Sequence, residues 1–358
     1  MIPLFFSWLL AAGIFVASPP RTLVAGPALA GSRVVWGEQV GGLSVLRSSS
    51  DEEPLWQSAS RWFAGPLAAS PALIAFSQSF DGCPGQPGVA CPVETQAVAG
   101  PPHGSLRALG HAERCTTGGA HRRLAVSGAR VAVFHLNCDS SSGTVTIDKG
   151  GERVFTQHEA ACCDVSFAGS FAAFKSGDSV DVVDLRKRRL ASRAGAPRGE
   201  SIAAFDVQSD GKLAVLLGPA QDGRFAIAWR APGVSILQPA KLRAVLPPSG
   251  PAVRLVADRL IAERRIGSST ELIVADLHGR TRVLARFVAP IEQVGGFDAG
   301  ELRVTWASRR ITSTRVDCPP PGQGRPCRRL KSGVETVWAS FASGAPRPVA
   351  RWSFADSP

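Results

Sequence analysis

The sequence predicts an all-β fold, a β-propeller of seven four-stranded blades with six as the alternative count. Three observations carry that reading. A short apolar run behind a turn signal recurs along the chain, helix-period stretches are absent beyond the N-terminal segment, and 37 Gly and 27 Pro among 358 residues break the rest into short pieces.

The recurring runs begin at Gly31, Pro71, Ala129, Gly169, Gly211, Asp258 and Gly300, as in Ala129-Arg-Val-Ala-Val-Phe134 and Gly169-Ser-Phe-Ala-Ala-Phe174. Successive starts lie about 40, 58, 40, 42, 47 and 42 residues apart, near the spacing of propeller repeats. The longest spacing contains an insert between Cys83 and Cys91, and the last unit contains a second between Cys318 and Cys327. Two further β-rich runs around a Gly-containing turn follow in Glu271 to Phe287 and in Glu335 to Trp352, and Ser179 to Leu190 repeats the theme. With the run before each turn, such as Ala203 to Val207, every unit has four strands. Val131 to Phe134 and Leu213 to Leu217 are continuously apolar, as expected of strands covered on both faces.

Residues 1–20 read as a signal peptide and 21–358 as one propeller domain. The apolar stretch from Met1 to Ser18 has signal-peptide length and is short for a membrane span. Cleavage is expected between Ala17 and Ala25; left uncleaved, the segment would be a membrane anchor. Secretion or residence in the cell envelope follows.

Eight cysteines suit that oxidising destination. Cys83 with Cys91, and Cys318 with Cys327, each bracket a segment rich in Pro and Gly, where a local disulfide holds irregular chain. Cys115, Cys138, Cys162 and Cys163 remain, with Cys138 expected to bond Cys162 or Cys163. By strand order all eight belong on one rim of the disc. Histidines at His111, His135 and His158 lie near these cysteines and offer a thiolate and imidazole alternative, but the Cys-x-x-Cys spacing of zinc sites is missing and bridged thiols are the favoured reading; no metal or other cofactor is expected.

The charge of +11 reflects arginine more than lysine, and no basic run interleaved with aromatics tracks a nucleic-acid strand, so nucleic acid is excluded as a partner. With 44% hydrophobic and 19% charged residues the chain forms a core, and disorder is excluded.

Phe205-Asp-Val-Gln-Ser-Asp-Gly-Lys-Leu-Ala-Val215 resembles the repeat core of TolB-like and WD40-like propellers, and Val274-Ala-Asp-Leu-His-Gly279 is similar to the end of their third strand. The likeness is specific in one unit, with Gln208-Ser209 in place of Ser-Pro. It implies the fold, and implies protein or ligand binding as a family habit.

Gly-x-Ser-x-Gly, P-loop, Gly-x-Gly-x-x-Gly and His-Glu-x-x-His motifs are all missing. The expected function is therefore non-catalytic binding by a monomer, with a protein or an anionic glycan as partner. The alternative is a hydrolase or lyase acting on an extracellular carbohydrate or similar substrate, whose site would gather acids such as Asp164, Asp206, Glu263 and Asp298 from several blades. The expected docking element is the Arg315 to Lys331 insert, the longest loop, carrying Arg325, Arg328, Arg329 and Lys331 behind Arg309 and Arg310. Guanidinium groups there suit carboxylate, phosphate or sulfate groups.

Overall fold

The computed structural model describes residues 20–81, 93–110, 113–114, 121–136, 142–161, 165–218, 225–230, 238–244, 253–256, 259–266, 269–276, 280–287, 291–292, 297–300, 303–318, 326–340 and 345–356. Every regular element among them is a β-strand. The first sheet takes β1 (Arg21–Ala30), β2 (Arg33–Val40), β3 (Leu43–Ser48) and β4 (Trp56–Ser58). The second takes β5 (Arg61–Ala69), β6 (Ile74–Asp81), β7 (Val93–Gly100) and an outer strand split into β8 (Arg107–Ala108) and β9 (Glu113–Arg114). The third holds β10 (His121–Ser127), β11 (Arg130–Leu136), β12 (Ser142–Lys149) and β13 (Glu152–Ala161). The fourth holds β14 (Val165–Ala168), β15 (Phe171–Ser176), β16 (Ser179–Asp184) and β17 (Arg189–Gly195). The fifth is β18 (Ser201–Val207), β19 (Leu213–Gly218), β20 (Phe225–Arg230) and β21 (Gln238–Ala244). The sixth is β22 (Val253–Val256), β23 (Arg259–Ile266), β24 (Ser269–Asp276) and β25 (Thr281–Phe287). In the seventh the innermost strand is split into β26 (Ile291–Glu292) and β27 (Phe297–Gly300), followed by β28 (Arg303–Asp317), β29 (Arg328–Ser340) and β30 (Arg347–Ala355).

All pairings are antiparallel between sequence neighbours, so each sheet is a meander. The apolar runs recognised in the sequence are the second strands, β2, β6, β11, β15, β19, β23 and β28.

The innermost strands touch in sequence. β1 meets β5, β5 meets β10, β10 meets β14, β14 meets β18, β18 meets β22, β22 meets β27, and β27 returns to β1. These strands enclose an axis, and the sheets fan outward from it.

The core is a ring of clusters between neighbouring sheets. Ala132 and Phe134 of β11 pack against Val165, Phe167 and Phe174 of the fourth sheet. Val131 and Val133, alternating with them, pack against Ala75 and Ala97 of the second. Alternate side chains leave opposite faces of a strand, so a strand sandwiched between two sheets must be apolar at every position. The turns between first and second strands interlock on one face of the disc: Ser70 Oγ donates to the Gly128 carbonyl at 2.6 Å, and the Gly169 N–H donates to Ser127 Oγ at 2.7 Å. Gly169 has φ +59°, and a Cβ there would sit 3.1 Å from Ser209, so the position needs glycine for conformation and for space.

Among the described residues, no strand passes from the last sheet to the first. Closure depends on side chains, with Leu23, Leu29, Val34 and Trp36 packed against Ala307, Val337, Ala339 and Trp352.

Candidate binding surfaces

Links between second and third strands emerge on one face of the disc, and links between first and second emerge on the other. The disulfide Cys318–Cys327 closes the link between β28 and β29, with Cα atoms 4.2 Å apart. Cys83, Cys91, Cys115, Cys138, Cys162 and Cys163 lie outside the described residues, as does Arg325. No group of three or more His, Cys, Asp or Glu among the described residues could hold a metal ion.

The structure corrects the expected loop. Residues 315–317 and 328–331 are strand, because β28 and β29 keep pairing as a ribbon out to Asp317 opposite Arg328. A bulge between Ile311 and Ser313 shifts the register on the way. Of the ten residues between Asp317 and Arg328, 319–325 lie outside the described residues.

That pairing also divides the expected basic patch. Side chains on directly paired residues share a face and successive ones alternate. Thr314, Val316, Arg329 and Lys331 therefore occupy one face of the ribbon, and Arg315, Asp317, Arg328 and Leu330 the other. Arg328 and Arg329, adjacent in sequence, address opposite sides. Arg310, Arg315, Arg328 and Arg329 are exposed, and Val316 adds an apolar group at 62% exposure. Lys331 is half-buried, with its N–H on Asp356 Oδ2 and its carbonyl accepting the Asp356 N–H, both at 2.9 Å.

Arg309 is the second correction. Its Nε donates to Glu335 Oε1 at 2.9 Å, and its guanidinium lies 4.5 Å from the centre of the Phe354 ring. Glu335 is 1% exposed, and its Oε2 accepts the Trp352 indole N–H at 2.8 Å and the Leu23 backbone N–H at 2.7 Å. Arg309 thus neutralises a buried carboxylate that fastens the last sheet to the first, and its guanidinium is turned onto that contact.

The same device recurs elsewhere. Asp148 pairs with Arg153, Asp181 with Arg193, and Glu271 with Arg286, each across a third and fourth strand in register. Glu38, 1% exposed, takes Arg21 and Arg47. Several arginines thus lie at the surface with their guanidinium groups turned onto buried acids, which require paired cations.

Of the acids considered for catalysis, Asp206 accepts Ser166 Oγ at 2.5 Å, tying the innermost strands of the fourth and fifth sheets. Asp164 and the side chains of Glu263 and Asp298 lie outside the described residues.

Two features escaped the sequence reading. Asp51 lies 3.5 Å from His103 Nε2 and 3.9 Å from Arg33, where the first two sheets adjoin. Hydrogen bonding from Ser48 holds its carboxyl below the usual range, Ser50, His103 and Arg33 act in the same sense, and burial opposes them. The other is a cleft of about 250 Å³ between the first and last sheets, on the face opposite the ribbon, lined by Leu29, Ser32, Ser49, Arg303, Arg347 and Val349 among others.

No family model and no curated protein matches the chain. Solved structures do: a prolyl endopeptidase aligns with TM-score 0.54 at 11% identity over 95% of this chain, which spans half (50%) of that protein's length. The fold is a β-propeller. The WD40 domain of Toxoplasma gondii coronin is a weaker likeness, at TM-score 0.47 and 11% identity over 82% of this chain and 80% of that one. Kluyvelomyces marxianus Hsv2 matches at 0.43 and 12% over 71% of this propeller and 82% of that chain. At these identities the likeness concerns the fold alone.

Proposed function

We propose that the protein is an extracytoplasmic, non-catalytic binding module, a propeller of seven blades that docks a partner bearing carboxylate, phosphate or sulfate groups. The observation that carries this reading is the β28–β29 ribbon: it runs out from its sheet, is closed by the Cys318–Cys327 disulfide, and exposes Arg310, Arg315, Arg328 and Arg329 against Asp317. A two-stranded ribbon on a rigid scaffold loses little conformational freedom on binding, so its contacts turn more fully into affinity. Fork-shaped guanidinium groups grip paired oxygens with two hydrogen bonds each. The disulfide is compatible with an oxidising compartment, and the N-terminal apolar segment supplies the route there.

The test uses the exported, purified chain on immobilised heparin and polyglutamate, with product analysis of soluble heparin fragments. Retention that fades with salt, with fragments unchanged in mass, is the expected result. Absence of retention on both supports, or fragment cleavage, would overturn the reading, and cleavage would turn attention to a hydrolase or lyase site in the central channel.

A further inference from the structure

We infer that the hairpin joining the third and fourth strands of the fourth sheet is a contact for a membrane surface rich in anionic lipid headgroups. Asp184 pairs with Arg189 and Val183 with Leu190, so the turn from β16 to β17 is Leu185-Arg-Lys-Arg188, and Arg189 and Leu190 open the outer strand. Every residue from Arg186 to Leu190 is exposed, Leu190 at 49%. The sequence holds no acidic residue between Leu185 and Gly199. Asp184, just before the turn, is buried, and its Oδ1 accepts the Arg186 N–H at 2.9 Å. Arg193, further along the strand, is engaged with Asp181. Among the described residues, no carboxylate lies within ion-pair distance of Lys187, Arg188 or Arg189.

Backbone geometry gives that charge a purpose. Arg188 has φ +50°, whereas the other described residues with positive φ are glycines. Glycine takes this conformation freely and a residue with a Cβ does not, so the turn keeps a cation where glycine would be easier, a kind of strain that gathers at functional sites. The turn is also held from beneath. The Leu185 N–H donates to the Ser170 carbonyl at 2.9 Å, Arg186 Nε donates to Ser170 Oγ at 2.7 Å, and Leu185 packs on the cluster around Phe167 and Phe174. Size and composition then select the partner. A stable protein interface takes about 20 to 30 residues a side, far more than this turn supplies. A lipid surface asks less: each basic residue close to it is worth roughly fivefold in affinity, and an exposed leucine beside the cations enters the headgroup boundary, where a polysaccharide would leave it unused. Third-to-fourth links leave the disc on the face opposite the ribbon, so a chain resting on lipid through this hairpin directs the ribbon away from it.

This inference stands on residues separate from the ribbon and on the opposite face, so either can fail without the other. The test floats the exported, purified chain with vesicles of phosphatidylcholine alone and with vesicles of equal parts phosphatidylcholine and phosphatidylglycerol. Binding should require phosphatidylglycerol and fade with salt. Lys187→Ser with Arg189→Ser should lose about twentyfold in affinity. Arg198→Ser with Arg351→Ser removes the same charge from exposed positions outside the hairpin and should stay close to the unaltered protein. Arg188→Gly should lose about fivefold yet unfold at the same temperature or higher, since glycine relieves the left-handed turn. Equal binding to neutral vesicles, equal losses in the hairpin and control variants, or full binding by Arg188→Gly would overturn the proposal. So would retention on immobilised heparin that depends on these residues without any binding to vesicles, which would give the turn to a polysaccharide.

Discussion

The Glu335 carboxylate accepts the backbone N–H of Leu23 at 2.7 Å, joining residues 312 positions apart and fastening the last sheet of the ring to the first. No strand among the described residues is shared between these sheets, and this bond and the surrounding apolar cluster hold the first and last sheets together. Glu335→Ala leaves Arg309, the Trp352 indole and the Leu23 N–H without their acceptor, and should cost about 3 kcal/mol, the scale for removing one member of a buried ion pair. Glu335→Gln keeps an acceptor oxygen and should cost less, about 1 to 2 kcal/mol. Urea unfolding followed by tryptophan fluorescence measures both, and equal, negligible losses would show that packing alone closes the ring.

Leu23 also constrains processing. β1 begins at Arg21, and Leu23 is buried and bonded, so cleavage late in the Ala17 to Ala25 window would remove paired residues. The mature N-terminus is expected at or before Arg21, and Edman sequencing of the exported protein reads it directly. A start at Ala25 or later would contradict the role given to Leu23.

Removing the disulfide should act locally. Cys318→Ser with Cys327→Ser frees a short link at the tip of a ribbon, and the loss is at most about 2 to 3 kcal/mol for so short a loop. The circular dichroism spectrum should be unchanged, while trypsin should cut after Arg328 or Arg329 faster than in the bridged protein. Unaltered cleavage would mean that strand pairing holds the ribbon without the bridge.

Asp51 gives a pH dependence of known sign. Its carboxyl is held below the ordinary range, chiefly by Ser48, so the folded form binds the proton less readily than the unfolded chain. The stabilisation is present above the unfolded value, about 3.9 for an aspartate, and disappears as the pH falls through the lower folded value. Asp51→Asn should flatten stability against pH below about 4, and thermal unfolding at a series of falling pH values checks it. Profiles of identical shape would contradict the assignment.

Much of the fold was legible because a blade is a local object. The Val131 to Phe134 run identifies a strand covered on both faces without knowledge of what covers it. The closing contact was illegible for the opposite reason. Glu335 stands alone among apolar neighbours in Gly333-Val-Glu-Thr-Val-Trp-Ala339, a pattern that signals a paired buried acid, yet its partner on β1 lies beyond any local pattern. Arg309 looked like a surface charge for the same reason. Arg328 and Arg329 looked like one patch because the cysteine-bracketed, Pro-rich segment hid the strand that separates them. The cleft draws on five distant stretches of chain, and no spacing in the sequence brings Arg303 and Ser49 together.

The most direct test of the docking account is the affinity of the full chain for immobilised heparin, measured at several salt concentrations for the unaltered protein, for Arg315→Ser with Arg328→Ser, and for Arg329→Ser. A ribbon that docks an acidic partner on one face predicts that one of these two variants loses at least about tenfold in affinity, some 1.4 kcal/mol. The other should stay near the unaltered value, the affected variant should show a shallower salt dependence, and unfolding midpoints should be unchanged throughout. Affinity and salt dependence equal in all three proteins would contradict the account.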